Sequence, residues 1–167
     1  MARRLVEPMA DGRFRVDLSD DERAVLASLA SQLRELLVAE HDREVDPDPS
    51  LRRLYPTAYG DDEDRNRDYR ELVGDDLLAG RLGALDTVEA TLDAERLDEA
   101  ELAAWMRSMN DLRLVLGTRL DVDEDPGEVD PDDPDAAAHA VYGYLGWLLE
   151  HIVACLSGEA EDLDEQR

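Results

Sequence analysis

The sequence predicts a mostly α fold: a helical bundle of four or five helices with a small N-terminal β-hairpin. Three observations predict it. Leu recurs at three- and four-residue spacing over long stretches, two Ser/Asp-x-x-Glu capping boxes mark helix starts, and one short alternating segment sits beside Asp11-Gly12. With 167 residues, 43% of them hydrophobic, the chain can bury one core, so residues 1–157 read as a single helical domain.

In "RRLVEPMADGRFRVDLS", Asp11-Gly12 separates two short segments, and Phe14, Val16 and Leu18 alternate as on a strand with one buried face. So small a hairpin must dock on helices to persist. Ser19 and Glu22 form a capping box, after which Leu26, Leu29, Leu33, Leu36 and Leu37 trace a helix to about Glu40. Residues 41–60 hold Asp46-Pro47-Asp48-Pro49 and "SLRRLYPTAYG", a loop with room for one helical turn between prolines.

Helix resumes near Asp62 and runs through Leu72, Leu78, Leu82, Leu85 and Val88 to about Leu92. Gly74 before Asp75 is a candidate break where one helix ends and another is capped. Asp98 and Glu101 repeat the capping box, with Leu97 and Leu102 placed as a hydrophobic staple. The acidic stretch "DVDEDPGEVDPDDPD" predicts a mobile loop over 121–134, since it has almost nothing to bury. Pro134 suits the first position of a last helix whose apolar stripe is Val141, Leu145, Leu148, Ile152 and Cys155. Gly143 and Gly146 on that helix predict close approach of a neighbouring backbone, and 158–167 form a polar tail.

The charge balance narrows the function. There are 43 acidic residues against 18 basic ones, all Arg and no Lys, for a formal net charge of -25. Duplex phosphate repels such a surface, which speaks against direct DNA binding and for a protein partner with a basic face. Carboxylates at this density also suit a high-salt environment. "MARRLVEPMADG" lacks the apolar run of a signal peptide, and "YLGWLLEHIVACL" is short and carries Glu150 and His151, so a soluble cytoplasmic protein without a membrane span is expected. An exposed apolar helix face would favour a homodimer.

Reaction chemistry finds little support. His41-x-x-Glu44 occurs without the Glu-x-x-His units of a di-metal bundle site, and no phosphate loop or hydrolase elbow is present, so neither metal nor cofactor is expected. Cys155, the only cysteine, excludes an intramolecular disulfide. It is the candidate redox thiol, with His151 one turn earlier, but its place on the apolar stripe reads better as a buried inert thiol. Arg3-Arg4 and Arg52-Arg53, the latter near Tyr55 and Tyr59, could stack on bases, yet Asp61 to Asp64 follow directly and ion pairing with the acidic surface is the better reading.

"WMRSMNDLRLVLGTRL" interrupts an apolar helix with polar residues. Trp105, Met109, Leu112 and Leu116 make one face, and Asn110, Arg113 and Gly117 an adjoining row. Asn110 and Arg113 are expected at the core margin, clamping a crossing loop, with Asp111 pairing to Arg107 one turn back. No acid, base and nucleophile come together, so the helix reads as a structural or binding element.

Three blocks, "DPSLRRLYPTAYGDDEDRNRDYRELVGDDLL", "WMRSMNDLRLVLGTRLDVDED" and "VYGYLGWLLEHIV", together resemble an actinobacterial family long known as a domain of unknown function, some of whose members are described as oxidative-stress transcriptional regulators. The resemblance covers about 13–156, and its "ND-R--LGTRL" core is fairly specific. It implies a signature and interaction set of Tyr55, Tyr59, Trp105, Asn110, Asp111, Arg113, Gly117, Thr118, Arg119 and Trp147. It also implies a non-enzymatic, redox-responsive regulator working with an extracytoplasmic-function-type sigma factor on cysteine-biosynthesis genes. The alternative is an adaptor or accessory protein in Clp-linked protein turnover; an enzyme of sulfur metabolism is a third. Redox switching in that family is attributed to an intramolecular disulfide, which this chain, with Cys155 alone, cannot form.

Overall fold

A computed structural model of the chain describes residues 3–41, 49–51, 53–54, 62–120 and 132–158. Strands β1 (Val6–Pro8) and β2 (Phe14–Val16) pair antiparallel, Val6 opposite Val16. Gly12 turns the chain between them at φ +82°, a left-handed conformation open to glycine without steric strain. The Ser19–Glu22 box forms as the sequence requires: Glu22 N donates to Ser19 Oγ at 3.2 Å and Ser19 N to Glu22 Oε2 at 2.7 Å. It opens α1 (Asp20–His41). A 3-10 turn, Pro49–Leu51, is the single helical turn expected between prolines.

Helix α2 spans Glu63–Thr91, capped by Asp62, whose side chain accepts from Arg65 N. The break expected at Gly74 does not occur. An interior glycine costs about 1 kcal/mol relative to Ala, less than ending one helix and nucleating another without a turn sequence to support it. Strand β3 (Arg96–Leu97) then adds to β2, turning the hairpin into a three-stranded sheet ordered β1-β2-β3. Two residues ahead of a capping box carry no readable alternation, so this strand was not legible in the sequence.

Helix α3 (Glu99–Arg119) begins with the expected Asp98–Glu101 capping box, and Leu97 and Leu102 of its staple are both buried. Helix α4 (Ala136–Ser157) starts two residues beyond Pro134, which lies in the preceding turn; Asp135 occupies the N-cap without a side-chain bond. Gly158, at φ +79°, ends it in the left-handed cap conformation.

Helix α3 is the hub. It packs against α2, α4, α1 and the 3-10 turn, while α4 also covers β1. The core runs from Leu5, just ahead of β1, and Val6 and Phe14 of the sheet through Leu26, Leu33 and Leu37 of α1 and Trp105 and Met109 of α3 to Leu145, Leu148 and Ile152 of α4. Transfer of one such side chain from water is worth roughly 1.5–3 kcal/mol. The sheet thus docks on the bundle through one apolar face. By length and composition α4 could cross a membrane, although only 22% of its most apolar 18-residue stretch is buried here.

Candidate functional site

The signature helix is built around a polar joint that replaces the expected one. Asp111 is buried, and it pairs with Arg81 of α2 rather than with Arg107, at 3.3 Å from Arg81 Nε. Arg107 is exposed. A pair one turn back on the same helix must lie along its surface, whereas Asp111 faces α2. Arg81 Nη2 also donates to the carbonyl of Leu54 at 2.8 Å, so one guanidinium ties α2, α3 and the segment following the 3-10 turn together. Burial pushes the Asp111 carboxyl above its ordinary range, and the Arg81 charge opposes that without overcoming it.

The expected loop clamp divides into two outcomes. Asn110 is exposed and forms no clamp among the described residues. Arg113 is half-buried and lies over the Tyr142 ring of α4, 5.2 Å from its centroid, so it grips a helix instead of a loop. Its Nε is buried without a hydrogen-bond partner among the described residues. Gly117 is buried where a Cβ would stand 3.0 Å from Tyr142 Cε2 and 3.3 Å from Arg53 Nη1. The glycine of "LGTRL" therefore makes room for one side chain from α4 and one from the segment after the 3-10 turn.

Thr118 Oγ1 donates back to Leu114 O at 2.8 Å, and Arg119 is exposed at the rim of a shallow groove of about 70 Å³. That groove runs between Leu29, Leu33 and Leu36 of α1 and Leu112, Val115 and Leu116 of α3. Pockets for small organic ligands run to about 300–1,000 Å³, so it is too small to be one. Trp105 is buried, and its Nε1 donates to Thr91 Oγ1 at 2.8 Å; that hydroxyl in turn donates to Thr87 O at 2.7 Å. The chain end of α2 is fixed from the other side by Arg23, whose Nη1 donates to the Leu92 carbonyl. Free carbonyls at a helix C-terminus are a natural acceptor for a guanidinium.

Cys155 and His151 do not form a pair. The Cys155 thiol is buried and donates to the Val6 carbonyl at 3.5 Å, and burial pushes its pKa up. His151 instead places Nδ1 2.9 Å from the Trp147 carbonyl and packs edge-on to the Trp147 ring. Trp147 itself is 39% exposed, one of the few large apolar side chains at the surface. Gly143 and Gly146 admit no neighbouring backbone: nothing lies within 4 Å of a Cβ on Gly143, and Gly146 meets the Arg113 side chain. Among the described residues no group of three His, Cys, Asp or Glu side chains could hold a metal ion. Tyr55, Tyr59, the 121–131 part of the acidic loop and the tail beyond Gly158 lie outside the described residues.

Arg81, Thr91 and Arg23 were missed in the sequence. Arg81 could have been found, because it falls between Leu78 and Leu85 on the apolar stripe of α2, where an unpaired charge is untenable.

What the site defines is a structural joint of a mostly helical module. The chain belongs to the family described as "Domain of unknown function (DUF2017)", which it matches over residues 3–156. Among curated proteins it is similar to the "Oxidative stress regulator AosR" of Mycobacterium bovis and of Mycobacterium tuberculosis, 32% identical in each case over 92% of this chain and 86% of the relative. No solved structure matches it.

Proposed function

We propose that the chain is a non-enzymatic, cytoplasmic regulator of the oxidative-stress response that acts by binding a protein with a basic surface, a sigma factor or another part of the transcription machinery, in control of cysteine biosynthesis. The observation that carries this is the similarity to relatives named oxidative stress regulators, which extends over nearly the whole chain.

The charge distribution supports a basic partner. Several arginines are engaged within the molecule: Arg3 with Glu22, Arg15 with Glu7, Arg34 with Asp86 and Glu89, and Arg81 with Asp111. The carboxylate excess therefore falls on the outside, with Asp64, Asp68 and Asp76 exposed along α2 and Asp20, Asp21 and Glu35 along α1. Such a surface repels nucleic acid and accelerates encounter with a cationic protein. With Cys155 as the only cysteine no internal disulfide can form, and its thiol is buried against the Val6 carbonyl, so we read any redox response as reaching the chain through its partner.

The test is a tagged pull-down from the native cells with untargeted mass spectrometry. RNA polymerase components should be recovered, and their release should steepen with salt. Clp subunits in their place would overturn the reading for the adaptor alternative. Catalytic turnover abolished by Cys155→Ser would overturn its non-enzymatic part.

A further inference from the structure

Helix α4 carries Ala136, His139, Gly143, Gly146, Glu150 and Val153 at alternating three- and four-residue steps. That is the spacing of a coiled-coil seam, and it lies opposite the buried Leu145, Leu148 and Ile152. The stripe is also symmetric about its middle. When two such helices run antiparallel around a two-fold axis between Tyr144 and Leu145, Ala136 meets Val153, His139 meets Glu150 and Gly143 meets Gly146, each pair formed twice.

The chemistry of these positions is self-complementary. Glu150 is the only Asp, Glu or Arg on α4, in a chain of net charge -25. Two copies so acidic can approach only where carboxylates are absent, and α4 presents that face. Among the described residues the side chains of His139 and Glu150 make no hydrogen bond or ion pair. They stand three turns apart, about 16 Å along the axis, so in the antiparallel pair each imidazole N–H reaches a carboxylate. The Gly143 position is open, with nothing within 4 Å of a Cβ, which lets a second backbone come close there, whereas Gly146 lies at the inner margin of the seam, where a Cβ would stand 3.5 Å from Arg113 Nε. Val153 ends the seam at 44% exposure, and Trp147, at 39%, flanks it with apolar surface.

We propose that this face of α4 is the contact of an antiparallel homodimer, with His139 donating to Glu150 of the partner subunit on both sides of the axis. The proposal is independent of which protein the chain regulates.

Sedimentation equilibrium of the full chain at neutral pH tests it. The wild type should reach dimer mass by ~100 µM, and added salt should strengthen association by screening like-charged copies. Gly143→Leu should yield a monomer that melts no lower than the wild type, since the substitution improves helix propensity at an exposed position whose Cβ has nothing within 4 Å. His139→Glu should weaken association at least about tenfold, and adding Glu150→His in the same chain should restore it, because the swapped pair reforms across the axis. A wild-type monomer at that concentration would overturn the proposal. So would a dimer indifferent to Gly143→Leu, or a double swap without rescue.

Discussion

Two arginine–carboxylate joints hold this chain at different depths. Arg3 grips Glu22 through two hydrogen bonds of 2.8 and 3.0 Å at the surface, where it also bonds the Asp17 carbonyl and ties the N-terminal segment to the start of α1. Arg81 meets Asp111 inside, with side-chain exposures of 19% and 13%. For Glu22, burial raises the pKa, but hydrogen bonds from Arg3 and Ser19 outweigh it and the net direction is down. For Asp111 burial wins and the net direction is up. The same pairing therefore stabilises the fold in one place and mainly neutralises a desolvation cost in the other, because donors from Arg3 and Ser19 together outweigh the burial of Glu22 whereas Arg81 does not outweigh that of Asp111.

The largest effect that would separate the two joints is expected from Asp111→Ala. Taking the carboxylate away from the buried Arg81 guanidinium should lower unfolding stability by about 3 kcal/mol, read as a reduced urea midpoint at unchanged slope. Asp111→Leu combined with Arg81→Met should recover most of that loss; no recovery would mean that the pair contributes strongly in its own right.

Gly117→Leu comes next. With Tyr142 and Arg53 in the way, it should cost about 2 kcal/mol through overpacking, and a neutral result would show that α4 and the 49–54 segment can move apart. Arg3→Ala should cost at most about 1 kcal/mol, as exposed pairs do, and the loss should shrink in high salt.

The smallest effect is a contrast in pH dependence. Glu22, with its folded value lowered, contributes stability that is present above its unfolded pKa and lost as pH falls through the folded one. Asp111, with its folded value raised, works in the opposite sense: stability declines as pH climbs from the ordinary carboxylate value, about 3.9, through the raised one. Denaturation curves across acid pH should therefore lose a falling component in Asp111→Asn and a rising one in Glu22→Gln. Identical profiles would remove the distinction.

Much of the architecture was legible because it is written locally. Both capping boxes, the Gly12 turn and the leucine spacing of α1 and α3 depend on residues within a turn or two of each other. The candidate site was legible only as a peculiarity of composition. "MND" marked α3 as unusual, but reading it alone assigned Asp111 to Arg107 and placed Asn110 at a clamp, whereas Arg81 lies thirty residues upstream of Asp111 and Asn110 faces solvent. Gly117 in "LGTRL" was legible as a signature residue, but its role in making room for Tyr142 depends on packing across helices.

The amino-acid order by itself settles where α1 and α3 begin, that one face of each is apolar, that the composition is acidic, and that no internal disulfide can form with Cys155 alone. These are properties of spacing, capping and composition, for which near neighbours suffice. Only the tertiary structure decides which polar residue meets which across helices, that β3 completes the sheet, and that the other described residues leave a nearly charge-free face of α4 uncovered, since each depends on how elements far apart in sequence share the space around α3.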